Sequence, residues 1–227
     1  MNIFCLPFAG ASRYSYKGFE SNAPEGVRVI PIELPGRGSR NREDLLFDIE
    51  GVVEDVFGQV KDHLKEPYVI YGHSMGSLTG LLLIRKIING NLRPPEHLFF
   101  SGCRAPCLLD DVEDHSLLPK DAFYRKLRDY GGCPDEVLAN NDLMVFFEPI
   151  LRADFQVVES FRYTREETFD IPIDIFLGTE ENISAEEGLA WNQETKARVT
   201  VHHFPGRHFF IFGREKELMD LMVRYID

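Results

Sequence analysis

The 227-residue chain carries 25 basic and 37 acidic residues, a formal net charge of −12, and 44% of its residues are hydrophobic. This length and composition predict one globular domain over residues 1–227, and an acidic chain without a dense basic face is not expected to bind nucleic acid. No apolar run approaches the ~20 residues of a bilayer span and no basic segment opens the chain, so we expect no membrane insertion, no secretory signal and a cytoplasmic location.

The first predicted strand, residues 3–6, is a short apolar run that ends in a loop of small residues at 7–12. Small residues let a backbone N–H approach a bound substrate closely. We therefore expect this loop to supply a donor for a negatively charged oxygen, with Ala9 as the first choice and Phe8 as the second. The alternative is that the loop only connects a strand to a helix.

A second predicted strand, residues 27–34, stops at a proline–glycine turn that carries three arginines, Arg37, Arg40 and Arg42. Such a run is either a solvated face or a contact for a phosphate or an acidic partner. From residue 44 to 64, apolar residues recur every three or four positions, which predicts a helix that packs on the sheet.

The most informative segment surrounds Ser74, which follows the apolar run 68–71 and precedes a predicted helix over 75–89. Gly72 and Gly76 complete the pattern Gly-x-Ser-x-Gly, in which a tight strand-to-helix turn leaves no room for Cβ atoms. The pattern predicts a nucleophilic serine, and the N–H of Met75 at the start of the helix is expected to stabilise an oxyanion.

Alternating strands and helices continue with a strand at 97–101, which indicates a doubly wound parallel sheet. Between residues 104 and 168 the alternation gives way to helical pieces, and we interpret this part as a lid insertion over the site. Six apolar residues are candidates either for lining its pocket or for packing inside it: Leu143, Met144, Phe146, Phe147, Phe155 and Phe161.

A serine nucleophile needs a base and a carboxylate that orients the base. Ser74, Glu181 and His208 occur in the order serine, acid, histidine, and each stands in a loop after a predicted strand. The adjacent Glu180 is the alternative acid, but the third position after Gly178 favours Glu181. The other histidines lie inside predicted strands, beside the serine or ahead of the expected position.

The four cysteines, Cys5, Cys103, Cys107 and Cys133, lack the paired spacing of a metal site and the density of a disulfide scaffold. We expect free thiols and no metal.

Seven motifs spread along the chain resemble those of type II thioesterases, the stand-alone α/β-hydrolases of polyketide and non-ribosomal peptide synthesis. They are also similar to the vertebrate oleoyl-acyl-carrier-protein hydrolase. The motifs lie at residues 6–10, 34–37, 71–76, 98–106, 131–138, 149–155 and 204–210. Three positions depart from the pattern: Glu181 stands in place of the usual Asp, Arg207 in place of Gly, and Ala11 in place of a second Gly.

This resemblance implies an α/β-hydrolase fold, with a mostly parallel central sheet, helices on both faces and a helical lid at 104–168. It implies that Ser74 is the nucleophile, His208 the base, and Ala9 and Met75 the oxyanion donors. The implied reaction is hydrolysis of an acyl thioester on the phosphopantetheine arm of a carrier protein, as an editing step, by a monomer without a cofactor of its own. Such a partner is acidic, so docking would use Arg37, Arg40 or Arg42.

Other interpretations stay open. A thioesterase of the same fold can release medium-chain products, and an esterase or acyltransferase can use the same residues. A carrier-binding protein without activity is the third alternative.

Overall fold

The computed structural model describes residues 1–109, 114–133 and 135–225. In these ranges six strands form one sheet in the order β2-β1-β3-β4-β5-β6, and every neighbouring pair is parallel. The strands are β1 (Asn2–Leu6), β2 (Arg28–Pro31), β3 (Tyr68–His73), β4 (His97–Ser101), β5 (Ile173–Gly178) and β6 (Val199–Phe204).

Helices connect the strands. They are α1 (Lys17–Asn22), α2 (Ile49–Val60), α3 (Met75–Asn89), α4 (Lys120–Tyr130), α5 (Asp135–Leu138), α6 (Asn141–Ser160), α7 (Ala185–Leu189) and α8 (Glu215–Met222). Short 3₁₀ turns lie at Arg13–Tyr16, Gly38–Arg40, Lys61–His63, Pro106–Leu108, Ala190–Gln193 and Val223–Tyr225. No helix among the described residues is long and apolar enough to cross a membrane.

Two apolar cores lie on opposite faces of the sheet, which explains why the central strands read as continuous apolar runs. One core contains the inner faces of α2 and α3, and the other contains those of α1 and α8. All six residues of β3 are buried, as expected for a parallel strand covered on both sides. The predicted α/β-hydrolase fold, with a parallel sheet and helices on both faces, is confirmed.

Some predicted boundaries are wrong. Helix α2 begins at Ile49 rather than near residue 44, because Asp48 caps it: its Oδ1 accepts the Gly51 N–H at 2.7 Å. Strand β2 ends at Pro31, and the short helices α1 and α7 were not predicted. Of the predicted lid, 104–168, residues 110–113 and Pro134 lie outside the described residues.

Helices α4, α5 and α6 occupy the region between β4 and β5 and form a small apolar core of their own. Met144 is buried in this core, and Phe155 packs against it. Phe161 instead belongs to the main core under the sheet. Leu143, Phe146 and Phe147 are exposed, Phe146 by 75%, so these three line no enclosed pocket.

Candidate active site

Ser74 occupies the tight turn between β3 and α3, with φ 53° and ψ −116°. The two neighbouring glycines are sterically required. A Cβ on Gly72 would lie 2.3 Å from the carbonyl oxygen of Gly76, and a Cβ on Gly76 would lie 2.7 Å from that of Leu6. The turn therefore stores backbone strain and packs directly against the end of β1.

The side chain of Ser74 stands at the carboxyl end of the sheet. The backbone N–H of Ser74 donates to the carbonyl of Ser101, at the end of β4, at 2.8 Å. Ser74 is partly exposed, whereas His73 and Met75 on either side are buried. The serine is thus the residue of the turn that solvent reaches.

Glu181 and His208, which are separated by 27 positions, meet at this same end of the sheet. His208 Nδ1 lies 2.7 Å from Glu181 Oε1, and the other carboxylate oxygen, Oε2, accepts the Gly178 N–H at 2.6 Å. The side chain of His208 is 16% exposed and that of Glu181 is 3% exposed, so water screens the contact weakly. Glu180, the alternative acid, is exposed.

His208 lies over the end of β3, next to the turn that carries Ser74. Its ring centroid is 4.8 Å from that of His73, the residue before the serine. A Cβ on Gly102, which follows β4, would lie 2.5 Å from His73 Cε1 and 3.0 Å from His208 Cε1. Because Nδ1 faces Glu181, the Nε2 edge of His208 is the one left to exchange a proton.

His73 is a neutral neighbour of this pair. Burial, and then the proximity of His208, lowers the pKa of His73 well below its ordinary value. Its Nδ1 lies 2.8 Å from the hydroxyl oxygen of Ser101. The ring therefore packs against His208 without adding a positive charge beside it.

The cysteine closest to the site is not a rival nucleophile. Burial, and then the charge of Glu181, raises the pKa of Cys103 to about 12, so its thiol stays protonated at neutral pH. Cys5 is also buried, and Cys107 and Cys133 are half-buried. No group of three or more His, Cys, Asp or Glu side chains among the described residues is arranged to hold a metal ion.

Two backbone segments meet beside Ser74 and bear the candidate oxyanion donors. Met75 opens α3, where the first N–H groups have no partner inside the helix. In the loop after β1, the Gly10 N–H donates to Asp154 Oδ2 at 2.7 Å and the Ala11 N–H to the Phe8 carbonyl at 2.9 Å. Both of those groups are engaged, so Phe8 and Ala9 stay the candidate donors of this loop.

The structure places Arg37 in the interior, contrary to the interpretation of the loop arginines as a docking face. Its guanidinium forms two hydrogen bonds, of 2.6 and 2.7 Å, with the carboxylate of Asp154. Arg40 pairs with Glu43 and Asp55, and Arg42 is exposed. Sequence reasoning missed the Arg37 site because its partner lies in α6, far along the chain.

These groups together can perform acyl transfer to water. A serine in a strained turn, an imidazole whose Nδ1 is held by a carboxylate, and backbone donors beside the serine are the parts such a reaction needs.

Comparisons with known proteins agree with this chemistry. The family model described as "Thioesterase domain" matches residues 1–224. The gramicidin S biosynthesis protein GrsT of Aneurinibacillus migulanus is 34% identical over 227 residues, which cover 100% of this chain and 89% of GrsT.

Solved structures are similar as well. ClbQ from the colibactin NRPS/PKS pathway superposes with a TM-score of 0.93 at 30% identity, covering 99% of this chain and 96% of ClbQ. YbtT, a type II thioesterase from the yersiniabactin NRPS/PKS pathway, superposes with a TM-score of 0.87 at 25% identity, covering 99% of this chain and 91% of YbtT.

Proposed function

Because the chain belongs to the thioesterase family and is a thioester hydrolase of the serine-hydrolase type, we propose that it removes acyl groups from the phosphopantetheine arm of a carrier protein. In this proposal Ser74 is the nucleophile, His208 the base and Glu181 the acid. The observation that carries it is the contact of Glu181 with His208 beside the Ser74 turn.

The first half of the reaction forms an acyl-enzyme. Ser74 Oγ attacks the thioester carbonyl carbon while His208 Nε2 takes the hydroxyl proton. The carbonyl oxygen becomes an oxyanion, which the N–H groups of Met75 and Ala9 stabilise. The carbon–sulfur bond then breaks, and the pantetheine sulfur leaves as a thiol with the proton that His208 returns.

The second half releases the acid. His208 takes a proton from water, the hydroxide attacks the acyl carbon, and the carbon–oxygen bond to Ser74 breaks as His208 returns the proton to Oγ. Glu181 accepts the Nδ1–H of His208 throughout. It holds the tautomer in which Nε2 is free and stabilises the imidazolium that forms twice per turnover. The cycle uses water and residues of this chain, and the phosphopantetheine belongs to the substrate.

An editing role in polyketide or non-ribosomal peptide synthesis is supported by the pathways named for ClbQ and YbtT. In the proposal the chain is one domain over residues 1–227, and the described part of residues 104–168 forms a lid that shapes the acyl pocket. Docking of an acidic carrier protein against a chain of net charge −12 needs local cations. Arg42 is the one of the three loop arginines left for this role, because Arg37 is buried and Arg40 is paired.

The test compares the wild type with Ser74→Ala on an acylated carrier protein, followed by the intact mass of the carrier. Ser39→Ala, which alters an exposed serine, is the matched control. We expect the wild type and Ser39→Ala to remove the acyl group and Ser74→Ala to leave it in place. A fluorophosphonate probe should label the wild type at Ser74.

The remaining outcomes separate the alternatives. Labelling of Ser74 without deacylation of the carrier would indicate a hydrolase for another ester or thioester. Transfer of the acyl group to an added alcohol or amine in preference to water would indicate an acyltransferase. Absence of both labelling and deacylation would contradict the proposal and favour a carrier-binding protein.

A further inference from the structure

We propose that the buried ion pair between Arg37 and Asp154 positions the oxyanion loop, residues 7–12, for the chemical step. This inference rests on the proposed function, because it assigns a role within the same reaction. It makes α6 of the insertion a contributor to catalysis, in addition to any part it has in covering the site.

The pair is held rigidly and away from water. Arg37 Nη1 donates to Asp154 Oδ2 at 2.6 Å, and Nη2 donates to Oδ1 at 2.7 Å. The side chains are 4% and 1% exposed. A bidentate contact of this kind fixes the orientation of both groups as well as their separation.

Each partner also binds the backbone directly after Ala9. Asp154 Oδ2 accepts the Gly10 N–H at 2.7 Å, and Arg37 Nη1 donates to the Ala11 carbonyl at 3.2 Å. Helix α6 makes a second contact through Leu151, whose Cδ2 would lie 2.6 Å from a Cβ on Gly10. The ion pair and α6 therefore hold the loop at Gly10 and Ala11.

The loop needs such a support because its own backbone is permissive. Gly10 has φ +81°, a conformation that glycine enters and leaves easily. An oxyanion donor acts only when its N–H lies ~3 Å from the developing charge, and small displacements of reacting groups are costly in rate. The Ala11 N–H in turn donates to the Phe8 carbonyl at 2.9 Å, and this carbonyl shares its peptide plane with the Ala9 N–H. Fixing Gly10 and Ala11 therefore also restrains the plane that carries the Ala9 N–H.

The two charges do something here that apolar residues of the same size could not do. Replacing a buried ion pair by well-packed apolar side chains is often neutral or stabilising. In this protein the same replacement would leave the Gly10 N–H and the Ala11 carbonyl without their partners. A purely structural pair and a positioning pair therefore predict different results for that replacement.

The experiment uses the double variant Arg37→Met with Asp154→Leu, and Arg37→Lys as a milder change that keeps a charge in place. The control is Arg40→Met with Asp55→Leu. It removes a second, partly buried ion pair, whose arginine lies in the same loop as Arg37 but whose side chains do not contact residues 7–12. For each, kcat and KM are measured on a small free thioester, with the rate of Ser74 labelling by a fluorophosphonate and the melting temperature.

We expect the double variant to stay folded, with a melting temperature a few degrees below that of the wild type, because two backbone groups lose their partners. It should lose about 10²-fold in kcat and in labelling rate, with KM unchanged. Arg37→Lys should lose about 10-fold in kcat, also at unchanged KM, because a lysine keeps the charge but not the second hydrogen bond. The control should keep its kcat.

Wild-type kcat in Arg37→Lys, or in a folded double variant, would overturn the inference and leave the pair a structural element. Failure of the proposed function is a separate result. In that case the wild type itself would show no hydrolysis that depends on Ser74.

Discussion

Replacing Glu181 by glutamine tests the assignment of the acid, because Glu180 beside it provides a matched control. In the wild type, both oxygens of Glu181 accept: one from the Gly178 N–H at 2.6 Å and one from His208 Nδ1 at 2.7 Å. A glutamine can satisfy only one of these donors with its single oxygen. If the oxygen stays on Gly178, the amide NH₂ points at Nδ1 and forces His208 into the tautomer with the proton on Nε2. That tautomer cannot accept the serine proton.

The expected loss follows from the burial of the pair. Loss of the tautomer and of the charge that stabilises the imidazolium costs about 10⁴-fold in kcat in a triad with a buried acid. The Glu181 side chain is only 3% exposed, so water screens little of its electrostatic effect on His208. We expect Glu181→Gln to reduce kcat by about 10³–10⁴-fold, or ~4–5 kcal/mol in activation free energy. KM should change little.

Glu180→Gln should stay within about twofold of the wild type, because the side chain is exposed and such substitutions have small effects. The assay is hydrolysis of a small acyl thioester at saturating concentration, with thiol release followed by absorbance. Equal losses in the two variants, or a larger loss in Glu180→Gln, would refute the assignment.

Two further predictions concern stability. Ser74→Gly should abolish hydrolysis yet raise the free energy of unfolding by about 1 kcal/mol, which corresponds to about 2–4 °C in melting temperature. The reason is that glycine adopts the observed φ of 53° without strain. A melting temperature below that of the wild type would contradict this prediction. Burial raises the pKa of Asp174, but hydrogen bonds from His202 and His97 lower it more, so the net pKa is below its ordinary value. A depressed carboxylate stabilises the fold above the unfolded-state pKa of ~3.9 and loses that contribution as pH falls below it. Urea unfolding of Asp174→Asn should show a loss of about 2 kcal/mol at pH 7 and a smaller loss at pH 3, whereas an equal loss at both pH values would contradict the linkage.

The turn at Ser74 was predictable because its causes are local. Gly72 and Gly76 are required by contacts with residues close in the sequence and with the end of β1. The spacing of apolar residues predicts the strand before the turn and the helix after it. The helix boundaries Met75 and Asn89 agree with the prediction for the same reason. Local sterics and periodicity are the information that a short segment contains.

The acid was only partly predictable. Sequence order and the spacing from Gly178 favoured Glu181 over Glu180, but the orientation of adjacent side chains depends on how the loop after β5 folds back. In the structure the Glu181 N–H donates to the Gly178 carbonyl at 3.2 Å, which closes a tight turn and directs the side chain inward. The backbone angles of that turn cannot be predicted from the identity of Glu180 or Glu181.

The interior position of Arg37 could not be predicted, because its partner Asp154 is 117 positions away. An arginine in a loop with two others has the pattern of a solvated face, and only the packing of α6 onto the loop after β1 shows otherwise. The exposure of Phe146 has the same origin, since the orientation of an inserted helix depends on what it packs against. Contacts of this range come from the assembled fold.

The two hydrogen bonds of its carboxylate suit Glu181 to the proposed role of the acid. The residue is one methylene longer than aspartate, so an extended side chain would overshoot the ring. Instead, the side chain folds back, so that Oε2 accepts the N–H of Gly178 at the end of β5. In this folded conformation Oε1 lies 2.7 Å from His208 Nδ1. Burial keeps His73 neutral, so Glu181 supplies the charge that meets the imidazolium. The second oxygen of Glu181 thereby anchors the side chain while the first contacts the imidazole.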